Sequence, residues 1–238
     1  MTAPLSADAP ASAVVPPVRR PYAAVFRALI ASAALTGLVL DLVQGSPGRV
    51  LGYFTVQSNI LAAAVLAVSA WRAWSGRPPL PPLVTGGTVL FLSVTGLFHH
   101  LLLPGGLPMT APLSGGQPVS DHLLHTATPL GAVLDLLLLT RPGALRPRDA
   151  GLWMLYPLAY LAFALARGAT LAPGPGSRYP YPFLDVDTHG YGGVLGNAGI
   201  VGLIILALAL ALVGLDQVRP YVRGSDNRIS PERASGLK

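Results

Sequence analysis

The chain of 238 residues contains no cysteine, a single lysine, Lys238, and a single glutamate, Glu232. The absence of cysteine excludes disulfide bonds, thiolate nucleophiles and Cys-ligated zinc or iron–sulfur sites. Because the lysine and the glutamate both lie in the polar C-terminal segment, a Schiff-base lysine and a His-Glu-x-x-His zinc site are excluded as well. Any catalytic group must therefore be Asp, His, Arg, Tyr, Ser, Thr, Asn or Gln.

Charged residues are also scarce in this sequence. They make up 11% of the chain, whereas 52% of the residues are hydrophobic and the mean hydropathy is +0.55. Soluble domains carry about 25% charged residues, so this chain lacks the polar side chains that a water-facing surface needs. We therefore predict an integral membrane protein, and we assign the net charge of +6 to membrane topology rather than to binding of nucleic acid.

Six apolar stretches are long enough to cross a bilayer as helices, which requires about 20 residues. They run from Tyr22 to Val43, Val50 to Trp71, Leu83 to Leu103, His122 to Thr140, Ala150 to Leu171 and Val194 to Leu215. The stretches are continuous rather than alternating, which favours helices over a membrane β-barrel. The sequence thus predicts an all-α polytopic protein with one six-helix bundle over residues 22–216, a disordered tail over 1–21 and a basic tail over 217–238.

The positions of the basic residues predict the orientation of this bundle. Twelve of the sixteen arginines and lysines lie in the N-terminal tail, in the second and fourth connections or in the C-terminal tail. Positively charged flanks remain in the cytoplasm. Both termini are therefore expected there, and we expect the membrane to be a bacterial plasma membrane.

With this orientation, most polar residues of the six stretches fall in the outer leaflet. They are Asp41, Tyr53, Thr55, Gln57, Ser58, Asn59, His99, His100, Asp121, His122, His125, Thr126, Arg167 and Asn197. Such residues usually face the interior of a bundle or a water-filled cavity. We expect one polar pocket that opens outward. Arg27 and Asp135 lie nearer the cytoplasm, and we expect them to form an ion pair, because an unpaired charge in lipid is costly.

Two short segments carry the candidate chemistry. Thr55 in YFTVQSN and His125 in DHLLHT both lie about 6 to 8 Å below the outer ends of their helices, so the two side chains are expected at one depth. Asp121 precedes His125 by one turn and is expected to orient its ring. The alternative to a catalytic role is a structural one, in which these polar groups only form hydrogen bonds that hold the helices of the bundle together.

Two further patterns leave alternatives open. His99, His122 and His125 permit a zinc site, because two of them have helical i,i+3 spacing. The segment between the last two stretches, SRYPYPFLDVDTHGYGG, contains Tyr181 and Asp185. It is expected either to anchor the chain at the membrane interface or to cover the pocket as a lid.

The motifs YFTVQSN, DHLLHTATP and YPFLD, in this order, resemble the androgen-induced membrane protein family. That family includes an androgen-dependent regulator of tissue-factor-pathway inhibitor and bacterial six-span homologues, and the resemblance covers about residues 22–215. Its animal members resemble threonine hydrolases that cleave fatty acid esters of hydroxy fatty acids. The resemblance implies that Thr55 is the nucleophile and His125 the base, with an acidic residue at Asp185.

From these patterns we expect a lipid-ester hydrolase that acts on membrane lipids or fatty acid esters. Asn59, Gln57, Asp121 and Arg167 are the candidates for stabilising the oxyanion or orienting the base, and His99, His100, Tyr181, Asp185 and Asn197 are expected in the pocket or lid. No cofactor is expected. The alternatives are a zinc-dependent membrane hydrolase with a histidine cluster and a non-enzymatic protein that binds or transports lipid.

Overall fold

The computed structural model describes residues 18–102, 117–172 and 178–220, and within these ranges it contains helices and no strand. Six helices are long and apolar enough to cross a membrane. They are span 1 (Pro21–Gln44), span 2 (Phe54–Trp74), span 3 (Pro82–Leu101), span 4 (Pro118–Leu139), span 5 (Pro147–Thr170) and span 6 (Val186–Val218). For the described residues, the all-α class and six helices of membrane-spanning length are confirmed, whereas most of both predicted tails lies outside these residues.

Several spans contain a local irregularity. Span 3 ends in a π-helical turn, Phe98–Leu102, and span 5 consists of Pro147–Trp153 and Leu155–Thr170. The fourth helix region consists of Gln117–His122, a π-helical turn Leu123–Ala127, Thr128–Leu134 and a second π-helical turn Asp135–Leu139. Pro129 contributes to the π-helical turn Leu123–Ala127, because proline has no N–H to donate to the carbonyl of His125. Such turns are frequent at functional sites.

Span 2 begins at Phe54 rather than at Val50, because the residues before it fold separately. Pro47–Val50 forms a short helix, and Tyr53 has an extended backbone that starts span 2. The Tyr160 hydroxyl donates to the Gly52 carbonyl over 2.9 Å. This bond ties the start of span 2 to span 5.

The first four spans form the part of the bundle that positions the candidate site. Span 1 packs against spans 2 and 4, span 3 packs against the same two spans, and span 6 packs against spans 3 and 5. Span 1 approaches span 4 closely at Gly37, where an added Cβ would lie 2.7 Å from Leu124. A larger residue would require the buried Leu124 side chain to shift, so Gly37 allows the two helices to lie close together next to His125.

The predicted ion pair between Arg27 and Asp135 is confirmed. The Arg27 Nε donates to Asp135 Oδ1 over 2.8 Å, and the two side chains are 8% and 13% exposed. The contact joins span 1 to span 4 at the end of the bundle that bears the predicted tails. We call this end the tail end and the opposite end the histidine end.

A second polar contact at the tail end was not expected from the sequence. The fully buried Asp216 accepts hydrogen bonds from the Leu145 amide over 2.9 Å and from Arg219 over 2.7 Å. Arg219 also donates to the carbonyl groups of Leu137 and Arg141, at 3.1 and 3.0 Å. An arginine that the sequence placed in the polar tail thus links the end of span 6 to the end of span 4.

Candidate functional site

His99, Asp121 and His125 lie together at the histidine end of the bundle, and we call them the histidine cluster. Asp121 Oδ1 lies 3.0 Å from Nδ1 of His125, and Oδ2 lies 3.3 Å from Nε2 of His99. The two imidazole rings stack with centroids 4.2 Å apart and planes inclined by 19°. One carboxylate therefore contacts two stacked histidines from different spans.

The helix irregularities position this cluster. His99 lies in the π-helical turn at the end of span 3, and His125 lies in the first π-helical turn of span 4. The two helices meet at Gly96, where an added Cβ would lie 3.1 Å from the His125 carbonyl and 3.2 Å from Pro129. A residue larger than glycine would push the two histidine-bearing turns apart.

The residues around the cluster differ in their exposure. Asp41 on span 1 lies near enough to His125 and Asp121 to interact with both electrostatically, and its side chain interacts with the buried Ser120. His122 is exposed. The structure therefore brings Asp121, rather than His122, to His99 and His125.

The other predicted pocket histidine, His100, makes a separate contact. Its Nε2 lies 3.0 Å from the Thr126 hydroxyl, and the side chain of His100 is exposed. The rings of His99 and His100 meet edge to face at 4.8 Å. His100 thus borders the cluster without contacting Asp121.

Thr55 lies in the first turn of span 2 and is partly buried. The Tyr181 hydroxyl interacts with the Thr55 side chain and with the backbone of Phe54 and Thr55, and its removal from water raises the pKa of Tyr181 to about 12. Tyr181 also packs against Tyr53 at 5.8 Å between ring centroids. Tyr181 therefore contacts Thr55, and its assignment to a pocket or lid stays a prediction. In this conformation no hydrogen bond joins the Thr55 hydroxyl to His125.

Asn59 connects the Thr55 region to the His125 region. This fully buried side chain donates from Nδ2 to the Thr55 carbonyl over 2.9 Å and to the Leu124 carbonyl over 3.2 Å. Leu124 immediately precedes His125. The first turn of span 2 and the first π-helical turn of span 4 are thus adjacent, and the Oδ1 atom of Asn59 has no hydrogen-bond partner.

Two other candidates for the oxyanion site donate to backbone carbonyls. Gln57 donates to the Leu51 carbonyl over 3.0 Å. Arg167 donates to the carbonyl of Gly48 over 2.8 Å and to that of Arg178 over 3.2 Å. Arg167 therefore links the connection before span 2 to the connection before span 6.

The remaining predicted pocket residues stabilise the start of span 6. Asp185 caps this helix by accepting from the Asp187 amide over 3.0 Å, and it accepts from the Thr188 hydroxyl over 3.0 Å. Asn197 donates to the Phe183 carbonyl over 3.1 Å. Asp185 could have been recognised as a helix cap, since Asp is favoured at that position.

Asp187 also binds the segment that precedes span 6. It accepts from Arg178 Nε over 3.0 Å. This hydrogen bond raises the pKa of Arg178. The bond holds the connection before span 6 against the first turn of that helix.

A small cavity lies at the tail end rather than at the histidine end. It offers about 20 Å³ to the centres of water molecules. Its lining includes Asp135, Ser69, Thr88 and Thr140. This is room for about one water molecule, which could form a hydrogen bond with the Ser69 hydroxyl, a buried group without a protein partner. It is too small for a lipid, so we assign it no catalytic role.

Comparisons of the chain with protein-family models, with curated proteins and with solved structures found no match. The resemblance to the androgen-induced membrane proteins therefore stays a prediction from three short motifs.

Proposed function

We propose that the protein is an integral membrane lipid-ester hydrolase that uses Thr55 as nucleophile and His125 as general base. The observation that carries this proposal is the contact of 3.0 Å between Asp121 and Nδ1 of His125. An ionised carboxylate in this position favours the tautomer with a proton on Nδ1, which leaves the lone pair of Nε2 available to accept a proton. A partly buried His–Asp pair within a membrane-spanning helix is uncommon and usually functional.

The adjacency of spans 2 and 4 supports the choice of Thr55 as the nucleophile. Asn59 bonds to the carbonyl groups of Thr55 and of Leu124, so the nucleophile and the base lie on neighbouring turns. The reaction requires a shift of the Thr55 side chain from Tyr181 toward His125.

In the proposed reaction, Nε2 of His125 takes the hydroxyl proton as Oγ of Thr55 attacks the ester carbonyl. The carbon–oxygen bond of the ester then breaks, and the departing alcohol receives the proton from His125. A water molecule next gives a proton to His125 and attacks the acyl-threonine, which releases the carboxylic acid and restores the hydroxyl. Protons and bonds balance without a cofactor.

Tyr181 is a better oxyanion donor than the three residues that the sequence suggested. Asn59, Gln57 and Arg167 each donate to backbone carbonyls. The Tyr181 hydroxyl lies beside Thr55 and keeps its proton at neutral pH, as an ordinary tyrosine with a pKa of about 10 does, and burial raises the pKa of Tyr181 further, to about 12. A protonated phenol is a donor suited to the negative charge that develops on the carbonyl oxygen.

The substrate class follows from the surroundings of the site. The outer faces of the spans are apolar, with exposed side chains such as Leu35, Val39 and Leu203. A lipid ester can keep its hydrocarbon chains along such surfaces while its carbonyl reaches the polar residues at one end of the bundle. Fatty acid esters of hydroxy fatty acids meet this description, and the family resemblance points to the same class.

The test uses purified protein in lipid nanodiscs, a fluorophosphonate probe and a branched fatty acid ester. We expect Thr55→Ala to abolish probe labelling and hydrolysis, and Thr55→Ser to retain part of both. Thr36→Ala, at an exposed threonine of span 1, serves as the matched control and should behave like the wild type. Labelling and hydrolysis that persist in Thr55→Ala would reject the assignment of the nucleophile.

The two alternatives predict different results in the same assay. A zinc-dependent hydrolase would lose activity in a chelator and would keep it in Thr55→Ala. The contacts within the histidine cluster favour this alternative over the non-enzymatic one. A protein that only binds or transports lipid would bind the ester, and neither the wild type nor any variant would hydrolyse it.

A further inference from the structure

The histidine cluster has the geometry of three ligands around a metal ion. One ligand atom from each of His99, Asp121 and His125 lies within 4.8 Å of the other two. In a tetrahedral zinc site with bonds of about 2.0 to 2.1 Å, neighbouring ligand atoms are about 3.3 Å apart. The two oxygens of Asp121 each lie near one ring: Oδ2 is 3.3 Å from Nε2 of His99, and Oδ1 is 3.0 Å from Nδ1 of His125. Binding therefore requires these side chains to adjust until one ligand atom from each residue contacts the same ion.

The donor set also indicates the class of cation. Two imidazole nitrogens and one carboxylate oxygen suit zinc and other divalent ions of the first transition row. Magnesium and calcium prefer oxygen ligands and do not suit a site with two histidines. Three protein ligands leave at least one coordination position for water or another small molecule.

The charges around the cluster favour a cation. Asp41 interacts electrostatically with Asp121 and with His125, so a second carboxyl group lies near one of the two rings. With both rings neutral, this group carries negative charge within the span region of the bundle. A divalent ion would offset that charge where it is poorly solvated.

We infer that the histidine cluster binds one divalent transition cation, with His99, Asp121 and His125 as its protein ligands. This inference goes beyond the proposed hydrolase and does not depend on it. One consequence does rest on the proposed function. A metal at Nδ1 of His125 leaves the ring proton on Nε2, and the ring cannot then act as the base for Thr55, so zinc would inhibit hydrolysis.

The inference is tested by metal binding rather than by activity. Purified full-length protein in nanodiscs is freed of metal with a chelator and titrated with Zn²⁺, with bound metal measured by mass spectrometry and isothermal calorimetry. We expect one bound zinc per chain, no binding of Mg²⁺ at the same concentration and a melting temperature that increases with zinc concentration. The same stoichiometry is expected in Thr55→Ala, which separates this result from the outcome of the hydrolase assay.

Variants at the cluster decide whether the bound ion is at the proposed site. His99→Gln, Asp121→Asn and His125→Gln should each weaken zinc binding at least tenfold. His122→Gln is the matched control, because this exposed neighbour is the one histidine of the DHLLHT segment outside the cluster. Far-UV circular dichroism without metal verifies that each variant folds. Equal zinc binding by the wild type and the cluster variants, or no binding by the folded wild type, would overturn the inference.

Discussion

Asp121 lies one helical turn before His125, and its Oδ1 atom is 3.0 Å from Nδ1 of that ring. The contact is short enough for a charge-assisted hydrogen bond that holds the ring in one orientation. In the proposed hydrolase, Asp121 is a positioning residue that acts through His125. The same carboxylate also contacts His99, so its replacement affects both histidines.

Replacing Asp121 with Asn should therefore reduce kcat by about 10- to 100-fold, because a neutral amide no longer stabilises the positive charge that His125 acquires when it takes a proton. KM for the lipid ester should change little, since Asp121 is not expected to bind the substrate. The measurement is steady-state hydrolysis in nanodiscs with a chelator present, which removes metal effects. His122→Gln is the control for perturbation of the helix start. A loss confined to KM, or equal losses in both variants, would contradict the positioning role.

Tyr181→Phe tests the proposed role of Tyr181 as oxyanion donor. Loss of one such donor costs about 100- to 1,000-fold in kcat in studied hydrolases. We expect a decrease of about 100-fold, with the ring still packed on Tyr53 because only the hydroxyl is removed. Tyr191→Phe, at an exposed tyrosine of span 6, is the control. If Tyr181→Phe hydrolyses the ester at the wild-type rate, the oxyanion role is wrong while Thr55 remains a candidate.

The ion pair between Arg27 and Asp135 should contribute to stability rather than to activity. Arg27→Leu leaves a buried carboxylate without its partner, a change that costs about 3 to 5 kcal/mol in buried pairs. The double variant Arg27→Leu with Asp135→Leu removes both charges and should recover most of that loss. Unfolding in detergent measures the difference. A double variant that is as unstable as the single one would show that the pair is not the source of the effect.

Gly168 in span 5 permits close packing of the aromatic segment before span 6. A Cβ added there would lie 2.1 Å from the ring of Tyr179, which is 4% exposed. Gly168→Ala should therefore lower the free energy of unfolding by about 1 to 3 kcal/mol. Gly199→Ala, at a helical position with no atom within 4 Å, should be neutral or stabilising by up to about 1 kcal/mol. Thermal unfolding that ranks the two variants in the opposite order would argue against this packing.

The sequence predicted two kinds of feature: those that depend on spacing within a single helix, and those that depend on the free-energy cost of an unpaired charge in lipid. The six spans follow from the length of the apolar stretches, and the contact of Asp121 with His125 follows from their i,i+4 spacing. The pairing of Arg27 with Asp135 was predictable because both charges lie within spans nearer the cytoplasm than the other polar residues, where an unpaired charge is costly.

The sequence could not predict which groups meet across helices. The contact between His99 and Asp121 depends on the rotation of span 3 against span 4, and two π-helical turns change that rotation locally. Arg167 was expected near the ester because of its depth, yet its long side chain donates to backbone carbonyls in two connections. Depth along a helix is readable from sequence, whereas the direction of a flexible side chain is decided by packing.

The orientation of the bundle can be tested directly because the chain has no cysteine. Gly48 and Pro79 are both exposed, and they lie in connections at the histidine end and the tail end, respectively. Twelve of the sixteen basic residues flank the tail end or lie in the tails, so we expect that end in the cytoplasm. In sealed cells, a membrane-impermeant maleimide should label Gly48→Cys and should label Pro79→Cys only after permeabilisation. The reverse pattern would place the histidine cluster and Thr55 on the cytoplasmic side, and lipid esters of the inner leaflet would then be the substrates to assay.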